Sequence, residues 1–152
     1  MDDREREERE RVVAIARTWL RTPYHDHAHI KGAGADCGQL IGAVFEEAGL
    51  IKDFSTGYYS PQWYLHRGEE AFLGYVRQWA TDIEPEAAGL GDIVVFKVGR
   101  LYAHGALIVD PGYPRIIHAF KNARCVVEDD GGPRGPLRGR ARKFFSFKGW
   151  AR

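Results

Sequence analysis

The patterning of the chain predicts an α+β domain, with helices first and an antiparallel β-sheet second. Three observations carry that prediction. Up to about residue 81 the apolar residues recur at helical spacing. From residue 92 onward, short β-rich runs alternate with turns containing glycine, proline or asparagine. No internal repeat or low-complexity linker interrupts the 152 residues, so residues 1–152 read as a single domain. Helices and strands segregated in this way pack as helices on one face of the sheet.

Each element has its own justification. In "REREERERVVAIARTWLR" the residues Val12, Ile15, Ala16, Trp19 and Leu20 share one face, and Pro23 marks the stop. The charged front half extends this helix, with Glu and Arg at neighbour spacing. A second helix runs from about Cys37 to Ala48, burying Leu40, Ile41, Val44, Phe45 and Ala48. Asp36 is its N-cap and Gly49 its stop. A third, near residues 69 to 81, buries Phe72, Val76 and Trp79, and a short helical turn in "PQWYLHR" precedes it. The strands are expected at 92–98, 103–110, 115–120, 123–129 and 142–150, as a meander.

Composition is that of an ordinary globular protein: 44% hydrophobic, 28% charged, net charge +1. That balance gives no global electrostatic case for nucleic acid or a membrane surface. Charge is unevenly placed, however. Residues 2 to 11 hold six acids and four arginines, whereas seven basic residues and no acid follow Asp130. No segment is apolar for long enough to span a bilayer. The charged N-terminus lacks the apolar core of a signal peptide, so synthesis and folding in the cytoplasm are expected. Two cysteines do not form a disulfide framework, and reduced thiols suit that compartment; a Cys37–Cys125 bridge stays open on sequence grounds.

Cys37 follows the glycine-rich "KGAGAD" at the point where a helix begins. A helix start lowers a thiol's pKa, and its free N–H groups can hold an oxyanion. The competing reading is a small buried residue, the commonest fate of a free cysteine. Cys125, mid-strand in "ARCVVED", has neither helix start nor glycine loop and reads as an inert thiol. A thiolate needs a base, and the base a partner. His104 opens "AHGALIV" between two small residues, and His118 lies on the next strand, in "RIIHAF". The turn "DPGYPR" can set these rings side by side.

The order of cysteine at a helix start, histidine at a strand start and polar residue on the next strand resembles the NlpC-type cell-wall peptidases, which are papain-like cysteine enzymes. Four stretches carry the likeness: "TPYHDHAHIKGAGADCGQLI", "GLGDIVVF", "AHGALIVD" and "IIHA". Within that family the chain is most similar to compact versions encoded with phage tails and gene transfer agents. The resemblance implies a papain-like fold and no cofactor. It makes Cys37 the nucleophile, His104 the base and His118 the residue orienting it. Asp36 would cap the helix and brace the loop, and Tyr24 would border the thiol. The implied reaction is hydrolysis of an amide in the peptidoglycan stem peptide, typically between D-glutamate and the diamino acid. Implied partners are phage-like tail or hub proteins, with action in the periplasm or cell wall.

The chain departs from the family at Gly38, where serine is usual, and in "HDHAHIKG", which replaces a tryptophan and glycines. His25, His27 and His29 are therefore read as lining the substrate groove. A rival reading makes them zinc ligands, since an extended segment would point all three rings to one side. A second rival takes the basic, aromatic-containing tail as a nucleic-acid surface; a final amphipathic strand with solvated charges is the favoured alternative. A third is a structural tail component without chemistry. His66 has no assigned place.

Overall fold

The computed structural model describes residues 1–52 and 69–150. The turn expected in "PQWYLHR" and His66 lie outside the described residues. Helix α1 (Asp3–Thr18) starts where Asp2 accepts a hydrogen bond from the Glu5 N–H, 2.8 Å. Its charged half is helical, with Arg9 bound to Glu5 at 2.9 Å across one turn. Val12, Val13 and Ala16 face the core, and the helix closes at Trp19 before Arg21 turns through φ 72° ahead of Pro23.

A two-stranded hairpin follows, β1 (His29–Ile30) with β2 (Gly34–Ala35), which the sequence reading lacks. It delivers the chain to α2 (Cys37–Glu47), whose apolar residues are all buried and whose end is set by Gly49 at φ 80°. Helix α3 (Glu69–Arg77) is shorter than expected. Gln78 and Trp79 close it with i→i+3 bonds, and Ala80–Ile83 forms strand β3 instead of a last helical turn. Trp79, although beyond the helix, is still buried.

The other strands are β4 (Ile93–Val98), β5 (Leu101–Ile108), β6 (Arg115–Phe120), β7 (Cys125–Asp130) and β8 (Arg142–Phe147). Their order, β3-β8-β4-β5-β6-β7, is antiparallel throughout. The meander therefore holds only from β4 to β7. Strand β8 comes back to lie between β3 and β4, which explains why its adjacent Phe144 and Phe145 are both buried, one on each face. The chain thus has the α+β architecture read from its sequence.

Each face of the sheet carries a core. The helices cover one, built from Val12, Leu40, Phe45, Val76, Leu107 and Phe145. The other holds Val94, Phe96, Ala106, Ile108 and Phe144, with Leu137 from the crossing segment on top. Arg142 fastens that segment: its guanidinium lies 4.8 Å from the Phe96 ring centre and donates to the Tyr113 hydroxyl at 2.6 Å and the Leu137 carbonyl at 3.3 Å. This basic residue serves packing, not a displayed cationic stripe. Across the molecule, buried Arg9 bonds Asp92 at 2.9 Å and the Leu90 carbonyl at 2.7 Å, with Trp150 stacked 4.2 Å away.

Candidate active site

Asp36 fixes where the thiol stands. One carboxylate oxygen accepts from the Gln39 N–H at 2.9 Å, capping α2, and the other accepts from the His27 N–H at 2.6 Å, tying in the preceding loop. The next residue, Cys37, is then the first of the helix. Tyr75 on α3 donates its hydroxyl to the Gly38 carbonyl at 2.8 Å, holding that first turn from the other side.

Close packing brings β5 against the helix. A Cβ at Gly105 would come within 2.8 Å of Ile41 Cδ1 and 3.1 Å of Phe72 Cζ, so a larger residue there would have to push these side chains aside. The Cys37 Sγ consequently lies 3.7 Å from the Ala103 carbonyl, the one that directly precedes His104. The N–H groups of Gly105, Gly38 and Cys37 itself face the sulfur.

His104 and His118 meet through the sheet register. Leu107 opposes Ile117 and Ile108 opposes Ile116, so the ladder continued by one residue sets Ala106 across from His118. His104 is then a same-face diagonal neighbour of His118, and their Nε2 and Nδ1 atoms are 2.7 Å apart. One strand further, His118 opposes Val127, which makes Asp129 its diagonal neighbour; His118 Nε2 lies 2.9 Å from Asp129 Oδ2. Phe120 stacks on the His118 ring at 4.7 Å between centres, and His118 is fully buried.

These contacts determine the tautomers. A carboxylate only accepts, so His118 Nε2 carries a proton towards Asp129. Neutral His118 then accepts at Nδ1 from the Nε2–H of His104, and the lone pair of His104 is left on Nδ1. Burial, with electrostatic coupling to His118 and the charge of Arg140 adding to it, pushes the His104 pKa down to about 3. His118 is also lowered by burial, against the pull of Asp129. Burial and then the Asp36 carboxylate push the Cys37 thiol up to about 12, outweighing the N–H groups that stabilise a thiolate. The helix-start expectation of a lowered thiol pKa is therefore reversed: desolvation wins over the helix N-terminus.

Tyr24 is placed by pairing on both sides. Its N–H donates to the Arg124 carbonyl at 2.8 Å, while Pro23, having no N–H, offers its carbonyl to Ala35 at 3.0 Å. The phenol borders the thiol closely enough that, after burial, the charges of Cys37 and Asp36 raise its pKa. The three loop histidines do not gather. His27 sits at φ 63°, a turn rather than an extended strand, so the alternation needed to aim His25, His27 and His29 to one side is broken. His25 and His27 are exposed, and among the described residues no three His, Cys, Asp or Glu side chains converge as metal ligands. Cys37 and Cys125 are both free thiols, and Cys125 is partly buried at the start of β7.

Sequence reasoning missed Asp129 and Arg140. For Asp129 the signal was available as an acidic residue on β7 at the diagonal to His118, but it depended on the register. Arg140 gave no local signal.

No protein-family model matches the chain, and no curated protein matches it in sequence. Solved structures do match. NlpC1 from Trichomonas vaginalis superposes with a TM-score of 0.65 at 19% identity, over 92% of this chain and 44% of that one. An N-acetylmuramoyl-L-alanine amidase from Bacteroides uniformis gives 0.64 at 11% identity, over 93% and 99% of the two chains. The NlpC/P60 domain of the peptidoglycan hydrolase SagA gives 0.52 at 20% identity, over 80% and 88%. The chain spans less than half the length of the Trichomonas structure. At these identities the likeness establishes the fold: helices on an antiparallel sheet in the papain-like arrangement of NlpC/P60 domains.

Proposed function

We propose that the chain is a cysteine peptidase acting on peptidoglycan stem peptides, cutting the amide between D-glutamate and the diamino acid. The observation that carries this reading is the hydrogen-bonded row His104–His118–Asp129 set behind a helix-start cysteine. In the reaction, Cys37 Sγ attacks the amide carbonyl and its proton passes to His104 Nδ1. The N–H groups at Cys37 and Gly38 receive the oxyanion. His104, now cationic, gives that proton to the leaving amine as the C–N bond breaks, and an acyl-thioester remains on Cys37. Water, deprotonated by the same nitrogen, attacks the thioester and releases the free acid and the thiol.

His118 keeps the lone pair of His104 on Nδ1 and shares the developing charge with Asp129, so these two position rather than touch the substrate. Because thiol and imidazole are both neutral at rest, proton transfer accompanies attack instead of preceding it. Tyr24 borders the thiol and His25, His27 and His29 border the groove in this reading, without a cofactor. Nucleic-acid binding and membrane insertion form no part of it. Delivery to the cell wall by a phage-like or gene-transfer-agent tail, after synthesis in the cytoplasm, rests on the resemblance of the sequence motifs to tail-encoded peptidases.

The experiment is digestion of purified peptidoglycan by the chain and by Cys37→Ala, with mass analysis of the released peptides. New amino groups on the diamino acid, lost with Cys37→Ala, are expected. Cleavage only at the lactyl–alanine amide would make it an amidase, and no release by either protein would overturn the reading.

A further inference from the structure

Beside His104 lies a pocket of about 240 Å³ bordered also by Tyr24, Phe120, Lys121, Asn122 and Arg140. Among the described residues, two that line it are cations and none is an acid, in a chain whose acids and bases are nearly balanced. Arg140 is exposed, and its guanidinium forms no ion pair or hydrogen bond among the described residues, although its neighbour Arg142 is fully engaged. Arg140 nevertheless lines the pocket together with His104.

The loop that presents Arg140 is held rigidly. Gly135 packs so tightly against the Asp130 backbone that a Cβ there would run into the carbonyl, and Leu137 is buried in the second core. The fold thus holds the segment that leads to Arg140 against the wall of the pocket that His104 also lines. A guanidinium without a partner among the described residues, at a pocket whose described lining holds no acid, recognises a carboxylate by paired N–H donors.

We propose that this pocket is a carboxylate subsite, in which Arg140, supported by Lys121 and Asn122, receives a free carboxylate of the stem peptide next to the bond that is cut. The inference rests on the peptidase reading for the identity of the peptide. Two carboxylates flank that bond, the α-carboxylate of D-glutamate and a carboxylate of the diamino acid. Both offer the same chemistry. Amidation of either turns the acceptor into a group that also donates, and removes its charge. The subsite makes the chain selective for stem peptides whose flanking carboxylate is not amidated.

The test uses the Cys37→Ala chain, which binds without cutting, titrated by calorimetry with L-alanyl-γ-D-glutamyl-diaminopimelate and with the same peptide amidated at the glutamate or at the diamino acid. The acid peptide is expected to bind at least about tenfold tighter than one of the amides. That gap should close in Cys37→Ala/Arg140→Gln and largely persist with Arg140→Lys. The position whose amidation matters identifies the carboxylate. Equal binding of acid and both amides, no measurable binding of the acid, or a gap unchanged by Arg140→Gln would overturn the subsite. Cleavage of the same peptide by the unsubstituted chain is measured alongside. Acid-selective binding without any cleavage would sink the peptidase reading and leave the subsite standing.

Discussion

At the scale of single residues, a thiol raised to about 12 and an imidazole lowered to about 3 leave no ion pair in the resting site. The sign of the consequence follows directly. Below its pKa the thiolate fraction grows tenfold per pH unit, so alkylation of Cys37 by iodoacetamide should climb through pH 7 to 10 without levelling. A plateau near the ordinary thiol value of about 8.5 would contradict it. His104 is a competent base wherever pH exceeds its lowered pKa, so kcat/KM should hold down to about pH 5 instead of falling near the usual imidazole value of about 6.5. Asp129→Asn should lower kcat at least about tenfold with little change in KM, because the amide NH₂ can donate to His118 Nε2 and reverse both tautomers. A merely structural Asp129 would leave the pH profile where it was. Cys37, His104 and His118 were legible because each sits in a local signature. Asp129 is one of three acids in "VVEDD", and only the β6–β7 register separates it from its neighbours.

At the scale of elements, α2 declared itself through signals that act within a few residues: Asp36 at its start and Gly49 at its end. Strand β3 could not be read in the same way. Its four residues Ala80–Ile83 follow on from the apolar spacing of α3, and what makes them a strand is the partner Arg142–Phe147, far along the chain. The histidine loop departs from the expected extended form for a similar reason. Spacing in sequence assumed an extended backbone, and Asp36, bonded to the His27 N–H, holds a turn there. The approach of α2 to β5 gives an element-scale prediction. Gly105→Ala forces a methyl against Ile41 and Phe72, costing about 1–3 kcal/mol in a denaturant titration. It should also lower activity by displacing the strand that carries His104. Full activity with unchanged stability would show that the close packing does not set the site.

At the scale of the whole molecule, the Arg9 network binds α1 to the start of β4, to β8 and to the C-terminal Trp150. The side chain of Asp92 is 1% exposed and also accepts from Ser146 at 2.6 Å and the Gly89 N–H at 2.9 Å, so it cannot simply turn to water. Arg9→Ala leaves this carboxyl buried without its cation, and a loss of about 3–5 kcal/mol in unfolding free energy is expected. A loss under about 1 kcal/mol would make the pair incidental. Within the motif "GLGDIVVF", Asp92 thus serves as a structural tie to Arg9 and Ser146. The histidine pair adds a linkage term: both fold as neutral rings with lowered pKa, so the unfolded chain binds more protons below about pH 6.5, and their contribution to stability falls as pH drops.

In the proposed reaction one thiol of two, Cys37, performs the chemistry. The direct measurement is kcat/KM for hydrolysis of L-alanyl-γ-D-glutamyl-diaminopimelate by the chain, by Cys125→Ala and by Cys37→Ala. Cys125→Ala should stay within about twofold and Cys37→Ala should fall by about 10³ or more. Retention of hydrolysis in Cys37→Ala, with the fold intact, would contradict it.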